Sequence, residues 1–144
     1  MASINGQCHC GNITFSLHTD KPVNAIVARA CQCSFCRLHQ TKNWSDPQGH
    51  AEVVVRDEQR LSRYRFGLEQ IDFLVCAECG SYSGAVLEDA EGAWATLNLR
   101  LTDIVDQVAV EAKDYDDQSG DERARRRKDV WTPVTLRVGE VGGA

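Results

Sequence analysis

The residues best suited to chemistry in this sequence are its cysteines, which occur in three tight groups. A thiolate is both a nucleophile and a ligand for soft metal ions. Neighbouring cysteines do not easily form a disulfide with each other, because the bond restricts the separation and direction of their side chains. The short spacings therefore favour metal-binding turns. The three groups are Cys8-x-Cys10-Gly11, Cys31-x-Cys33-x-x-Cys36 and Cys76-x-x-Cys79-Gly80.

The number of cysteines points the same way, because seven is odd and disulfide pairing leaves one over. Zinc is the abundant metal that thiolates favour, and four thiolates complete its tetrahedral shell. Seven thiolates divide naturally into a closed site of four and a site of three. The second site keeps a position for water, a substrate thiol or an inhibitor. This open position is the strongest indication of function in the sequence.

Length and composition predict one domain spanning residues 1–144. A chain of this size buries roughly 70% of its unfolded surface, so it needs no disulfides to stabilise a core. No stretch approaches the ~20 apolar residues of a membrane span. Sixteen basic and 21 acidic residues give a net charge of −5, which disfavours binding to nucleic acid. The start of the chain has neither a basic nor an apolar signal segment, and we expect a cytoplasmic protein.

Short alternating segments must position the cysteines, and they predict a mainly β fold. Ile13, Phe15 and Leu17 alternate with polar residues, as in a half-buried strand that follows the first cysteine pair. Residues 37–50 contain Asp46, Pro47 and Gly49 and are typical of a loop. Helical pattern is limited to a turn after Cys36 and a piece at 121–129. The other strand candidates are 23–30, 53–55, 61–66, 71–75, 82–87, 93–99 and 131–138.

Residues 114–129 differ from the rest of the chain, because they contain six acidic and five basic residues. The favoured interpretation is a solvated loop or helix whose charges compensate one another. The alternative is a nucleic-acid patch formed by residues 125–128, against which the overall acidity argues.

The cysteine motifs resemble those of the glutathione-dependent formaldehyde-activating enzyme family, which includes centromere protein V domains. The similarity covers about residues 4–105 and implies a β-tent fold of twisted antiparallel sheets. It also implies that Cys8, Cys10, Cys76 and Cys79 hold a structural zinc ion, and that Cys31, Cys33 and Cys36 hold a second, catalytic one. The matching strings are Gly6-Gln-Cys8-His9-Cys10-Gly11, Cys31-Gln-Cys33-Ser34-Phe-Cys36-Arg37 and Cys76-Ala-Glu-Cys79-Gly80-Ser81.

The resemblance implies a carbon–sulfur lyase type of activity, in which glutathione adds to formaldehyde and gives S-hydroxymethylglutathione. Partners would be a small thiol such as glutathione and a small aldehyde or thioether. Three thiolates weaken zinc as a Lewis acid, so we expect capture of a thiol rather than production of a hydrolytic hydroxide. Two alternatives stay open. One is a non-catalytic zinc module for protein or nucleic-acid contact, and the other is a different zinc-dependent reaction, such as hydrolysis or isomerisation.

The segment after the triplet departs from the family, because Leu38-His39-Gln40-Thr41 replaces small residues there. His39 is close enough in sequence to complete a closed Cys₃His site, which would weaken the enzyme hypothesis. Arg37 could hold an anionic substrate or form a surface ion pair. Asn98 interrupts an apolar strand and faces either the site or solvent. The large aromatic residues Trp44, Tyr64, Phe73, Tyr82 and Trp94 are expected in the core.

Overall fold

Strands form most of the regular structure in the computed structural model, which describes residues 2–114 and 118–139. The predicted mainly β fold class is confirmed. The strands are β1 (Ala2–Gln7), β2 (Ile13–Thr19), β3 (Val27–Cys31), β4 (Asn43–Trp44), β5 (His50–Val55), β6 (Leu61–Tyr64), β7 (Asp72–Cys76), β8 (Tyr82–Asp89), β9 (Gly92–Asn98), β10 (Ala109–Lys113) and β11 (Thr132–Val138), and the α-helices are α1 (Ser34–His39) and α2 (Gly120–Val130).

The strands form two sets that β11 joins. One set runs β1-β2-β5-β11, and the other runs β6-β7-β8-β9-β4-β3-β10. Thr132 and Pro133 of β11 pair with β9, and residues 134–138 pair with β5. The β3–β10 and β5–β11 pairs are parallel, whereas the other pairs of named strands are antiparallel. The last strand therefore fixes the two sets to each other.

The first hydrophobic core follows from the alternation along β2 and β5. Ile13, Phe15 and Leu17 are buried on one face of β2, as their spacing predicted, and the alternate residues of β5 face the same core. Cys8 and Cys76 are fully buried members of this core. The first and third cysteine groups thus meet where the core ends.

A second core covers the opposite face of β7 and β8. Leu74 contributes to the first core, whereas its neighbour Phe73 contributes to the second, because successive strand residues face opposite sides. Trp131, at the end of α2, and Cys36 of α1 pack in the second core. The cysteine triplet therefore lies on the other side of this sheet from the first cluster.

Several elements differ from the predictions. The strand expected at 23–30 begins only at β3, after a 3₁₀ turn at Val23–Ala25. The loop expected at 37–50 contains the end of α1 and the short β4. Both β1 and β10 were missed, because β1 buries only Ile4 and β10 buries no residue, so neither shows an alternating pattern. Their strand conformation comes from pairing with β2 and β3.

The two helices agree with the two helical segments expected from the sequence. α1 is the turn around Cys36, and α2 falls within the charged segment. Among the helices of residues 2–114 and 118–139, none has the length and apolar character required to cross a membrane.

Candidate metal centres and the cavity beside them

The first cysteine cluster has the geometry of a four-thiolate metal site. The Sγ atoms of Cys8, Cys10, Cys76 and Cys79 all lie within 4.8 Å of one another. Cys10 Sγ is 3.8 Å from Cys8 Sγ and 3.5 Å from Cys76 Sγ. A tetrahedral shell with zinc–sulfur bonds of about 2.3 Å places its sulfurs about 3.8 Å apart. The donor set therefore fits one metal ion.

Glycines shape both turns that carry these cysteines. Gly11 has a φ of +85° and Gly80 a φ of +81°, a left-handed conformation that costs glycine little. Each turn aims a backbone amide at a sulfur. Ile13 N–H donates to Cys8 Sγ at 3.3 Å, and Cys79 N–H donates to Cys76 Sγ at 3.5 Å. Such amides stabilise thiolates before any cation arrives.

The hydrogen bonds around Cys79 favour its ionised form. Burial opposes ionisation, but the Ser81 hydroxyl, 3.4 Å from Cys79 Sγ, and the backbone amides of Cys10 and Ser81 lower the pKa of Cys79 to about 5. Burial raises the pKa of Cys76 instead. One member of the cluster is thus already an anion at neutral pH, which attracts a cation to the site.

The triplet is assembled at the junction of a strand and a helix. Cys31 ends β3, Cys33 is the N-cap of α1, and Cys36 lies in the first turn of that helix. Their Sγ atoms lie within 4.8 Å of one another. Cys36 N–H donates to Cys33 Sγ at 3.4 Å, so the cap places one sulfur beside the next. The three donors fit a thiolate metal site with one position left.

Electrostatics within the triplet favour a single thiolate until a cation binds. Hydrogen bonds from the thiols of Cys31 and Cys36, together with the amides of Cys36 and Phe35, lower the pKa of Cys33 to about 3. The hydrogen bonds of Cys36 with Cys31 and Cys33 raise the pKa of Cys36. The hydrogen bond between Cys31 and Cys33 raises the pKa of Cys31. A bound metal ion deprotonates its thiol ligands outright. Metal binding at this site should therefore release protons.

His39 does not complete the triplet. Its side chain is exposed, and its ring stacks on Phe35 with 4.3 Å between centroids. Within residues 2–114 and 118–139, the group that could hold a metal here consists of the three cysteines. The Cys₃His alternative is therefore wrong for this structure. Arg37 is likewise exposed on α1 and does not line the adjacent cavity.

A cavity of about 160 Å³ opens beside the triplet. Part of the lining is apolar and partly aromatic, and Phe35 packs beside it with its ring centroid 4.4 Å from that of Phe73. Several guanidinium groups also line the cavity. The lining includes the cysteines Cys31, Cys33 and Cys36, the apolar residues Phe66, Leu68, Ile71, Phe73, Ala85, Val130 and Trp131, and the arginines Arg29, Arg123, Arg126 and Arg127.

Three of these arginines come from one face of α2, which we call the arginine face. Arg123, Arg126 and Arg127 are spaced three and four residues apart, so they share one side of the helix. Only Arg125 among the four arginines of α2 is exposed. Because Arg123, Arg126 and Arg127 are half-buried and line the cavity, the solvated surface of the favoured interpretation is wrong for the arginine face. The helical spacing of these arginines is the feature of the sequence that could have identified the arginine face.

Contacts at both ends hold α2 over the cavity. Ser119 caps the helix by accepting a hydrogen bond from Glu122 N–H. Lys128 Nζ lies 2.6 Å from Asp89 Oδ2 and 2.7 Å from Glu91 Oε1, next to the β8–β9 turn. Hydrogen bonding to Lys128 lowers the pKa of Asp89. The charge of Lys128 is thus compensated by another part of the chain.

A buried hydrogen-bonded chain supports Cys36 from the side of the sheet. Asn43 Nδ2 lies 3.9 Å from Cys36 Sγ, and Tyr82 donates its hydroxyl to Asn43 Oδ1 at 3.2 Å. Burial, and then the charge of Cys36, raises the pKa of Tyr82 well above its usual value. Tyr82 therefore stays neutral and fixes the orientation of the Asn43 amide. Sequence analysis missed Asn43, because nothing local links it to the triplet.

Asn98 has a structural role. It is buried, its Oδ1 accepts from the backbone amides of Lys42 and Arg100, and its Nδ2 donates to Tyr82 O at 2.9 Å. The predicted solvent-facing alternative is wrong, and Asn98 is not itself among the described residues that line the cavity. Among the aromatic residues, Trp44, Phe73 and Tyr82 are buried as expected, whereas Tyr64 is 48% exposed.

We expect two metal ions per chain, because the two clusters are separate and each gathers its sulfurs within 4.8 Å. Elemental analysis of the purified protein by mass spectrometry measures this ratio. Cys31→Ala should lower it to one. A ratio of one in the wild-type chain, with no change in that variant, would show that the triplet holds no ion.

Comparison with known proteins supports the family resemblance of the cysteine motifs. The family model described as glutathione-dependent formaldehyde-activating enzyme matches residues 3–118. A crystal structure of a Rhodobacter sphaeroides protein is similar, with a TM-score of 0.53 and 25% sequence identity over 76% of this chain and 100% of that protein. None of the curated proteins matches the chain significantly. The family match ends before α2 begins.

Proposed function

Because the chain belongs to the glutathione-dependent formaldehyde-activating enzyme family, we propose that it is a zinc-dependent enzyme of the carbon–sulfur lyase type. It joins a small thiol such as glutathione to an aldehyde, or releases the thiol from such an adduct or a thioether. One observation carries this proposal: three cysteine sulfurs lie together on the wall of a cavity. No fourth protein ligand joins them in the described part of the chain.

The proposed reaction needs no oxidant or reductant. In the direction of synthesis, the thiol sulfur forms a bond to the carbonyl carbon, and the carbon–oxygen double bond becomes single. The proton of the thiol ends on that oxygen. In the reverse direction the carbon–sulfur bond breaks, and the hydroxyl proton returns to the sulfur. The net change is the addition or elimination of a thiol across a carbonyl group. Release from a thioether is also an elimination: the carbon–sulfur bond breaks, a proton from the neighbouring carbon ends on the sulfur, and a carbon–carbon double bond forms.

Cys31, Cys33 and Cys36 are the proposed ligands of the catalytic zinc. Zinc bound there supplies a Lewis acid that favours the thiolate form of an incoming thiol. Asn43, oriented by Tyr82, holds the Cys36 sulfur in place. Such outer hydrogen bonds tune metal affinity and ligand orientation. The apolar wall around Phe66 and Phe73 limits access of water to the reacting atoms.

Cys8, Cys10, Cys76 and Cys79 are the proposed ligands of a structural zinc. Their donor set is complete, and Cys8 and Cys76 are fully buried. A closed four-thiolate site has no position for substrate. We therefore propose that this cluster stabilises the fold and that the triplet takes part in catalysis.

The alternative of a non-catalytic zinc module has less support. Residues 125–128 are not presented as one basic surface, because Arg126 and Arg127 line the cavity and Lys128 forms ion pairs with Asp89 and Glu91. Arg125 alone of the four is exposed. A nucleic-acid backbone needs several exposed cations in a row.

The proposal predicts that glutathione enters the metal shell of the triplet. Cobalt replaces zinc in tetrahedral sites and gives visible absorption bands that report its ligands. Addition of glutathione to the cobalt protein should change these bands, and exchange NMR should show faster interconversion of glutathione and S-hydroxymethylglutathione than in buffer. A spectrum that glutathione leaves unchanged, with exchange at the buffer rate, would favour a non-catalytic zinc module.

A further inference from the structure

We propose that the arginine face of α2 binds the carboxylate of the thiol substrate, so that the enzyme selects an anionic thiol. The acid end of the substrate contacts Arg123, Arg126 and Arg127, while its sulfur reaches the triplet. The inference rests on the proposed function for the thiol, but the arginine face is a separate observation. It lies beyond residue 118, where the family match ends.

The first argument is that the arginine face and the triplet share one cavity. Both sets of side chains line the same space of about 160 Å³. One short molecule can therefore contact both sets of side chains at once.

The second argument is the charge of the lining. Four arginines face the cavity, whereas Glu69 is the one carboxylate among the described lining residues, and the triplet with a divalent metal ion carries a net charge of about −1. Burial, followed by the like charges of Arg126 and Arg123, lowers the pKa of Arg127 to about 10. Arg127 is still protonated at neutral pH. The cavity therefore favours an anion over a neutral or cationic ligand of the same shape.

The third argument is an unused donor. Arg127 Nε is buried and has no hydrogen-bond partner in the part of the chain that the structure describes. Leaving a buried donor unpaired is unfavourable, and more so when it is charged. A carboxylate oxygen from a ligand supplies the missing acceptor. Guanidinium groups bind carboxylates in a paired geometry that ammonium groups do not match.

Arg127 is also held in place before any ligand arrives. Its terminal NH1 donates to Gln70 Oε1 at 2.9 Å, and its guanidinium carbon lies 5.5 Å from the centre of the Trp131 ring. The next residue, Lys128, is fixed by Asp89 and Glu91. A donor that is already ordered loses little conformational entropy on binding.

The shape and chemistry of the cavity define the ligand. The triplet requires a thiol, and the arginine face requires an acid. Phe66, Leu68 and Phe73 in the same lining suit a short apolar linker. The simplest molecule of this kind is a short mercapto acid, and glutathione carries the same two groups.

The test compares two thiols that differ only in charge, 3-mercaptopropionate and its methyl ester. Each is titrated into the cobalt protein, and the change in visible absorption gives its Kd. The wild-type chain should bind the acid more tightly than the ester. In Arg127→Gln we expect the acid to lose about 10- to 100-fold in affinity, the usual range for a charged hydrogen bond. The affinity for the ester should change little.

Arg125→Gln is the matched control, because it removes the same charge from the exposed side of the same helix. It should leave the preference for the acid intact. Arg123→Gln repeats the test on a second member of the arginine face, and circular dichroism checks that every variant is folded. The inference is overturned if the wild-type chain binds acid and ester equally, or if Arg127→Gln weakens both to the same extent.

A third probe separates this inference from the proposed function. 3-(Methylthio)propionate has the carboxylate but no free thiol, and calorimetry measures its binding without any change at the metal. Binding to the wild-type chain that is lost in Arg127→Gln supports the arginine face, even if no thiol alters the cobalt spectrum. That pair of results would overturn the thiol chemistry alone. Glutathione in the same titrations shows whether the carboxylate of a peptide or of a small acid is preferred.

Discussion

Replacement of Cys76 by alanine should unfold the protein. Cys76 is fully buried at the end of β7, and its sulfur lies 3.5 Å from that of Cys10, a residue 66 positions earlier. A metal ion at this cluster closes that long loop. Since the unfolded chain has no preformed site, the binding energy of a structural zinc, on the order of 10 kcal/mol, becomes folding energy. That equals the whole stability of an ordinary domain, about 5–15 kcal/mol.

Circular dichroism and thermal unfolding measure this effect, and two controls separate the metal from packing. Cys76→Ser keeps the shape of the side chain, with oxygen in place of sulfur, but removes the soft ligand, so it should be as damaging as alanine. Removal of metal from the wild-type chain by a chelator should lower the stability in the same way. A folded Cys76→Ser protein with an unchanged melting temperature would contradict a structural metal.

Replacement of Cys33 by alanine should have the opposite profile, with activity lost and the fold retained. The triplet spans six residues, so a metal ion there closes no long loop. We expect the ratio of metal to chain to fall from two to one. Loss of an outer-shell partner typically costs about 10- to 100-fold in metal affinity or activity, and loss of a direct ligand should cost more. Elemental analysis and the glutathione exchange assay measure both changes.

Cys33 also caps α1, because its sulfur accepts a hydrogen bond from Cys36 N–H. Loss of an N-cap costs about 1 kcal/mol, which alanine incurs and serine avoids. Cys33→Ser is therefore the sharper variant, with stability near wild type and no activity. Full exchange activity in a folded Cys33→Ser protein would remove the triplet from the mechanism.

The sequence predicts the close grouping of the triplet cysteines well because their spacing is local. Cys31, Cys33 and Cys36 lie within one turn and its flank, so the backbone brings their side chains together. The alternation of Ile13, Phe15 and Leu17 is local in the same sense and predicts β2 and its buried face. Where neighbouring residues determine the structure, a local sequence pattern is sufficient to predict it.

Features that depend on contacts between residues far apart in the sequence could not be predicted from local patterns. β10 buries no residue, so its conformation depends on the parallel pairing with β3. His39 lies near enough to Cys36 in sequence to be a ligand, yet its ring stacks on Phe35. The position of α2 over the cavity depends on Lys128 meeting the β8–β9 turn, a contact that no spacing within 114–129 encodes.

The same charged segment illustrates how a correct element can carry a wrong interpretation. Its counts of acidic and basic residues are nearly equal, which favours a compensated surface. In the structure Arg123, Arg126 and Arg127 share one face of the helix and line the cavity, whereas Asp121 and Glu122 are exposed in the first turn. Composition averages over all faces of a helix, whereas only one face of α2 lines the cavity.

The placement of α2 between β10 and β11 has a consequence for how this scaffold can evolve. The strands on both sides of the helix are paired within the sheets, so the helix is tethered at each end and its register over the cavity is preserved. The proposed metal ligands all precede it in the chain. If the arginine face binds substrate as we propose, mutations on the inner face of α2 change which molecules are accepted and leave the proposed metal sites unchanged. Relatives that differ in this one helix would then carry out the same reaction on different substrates.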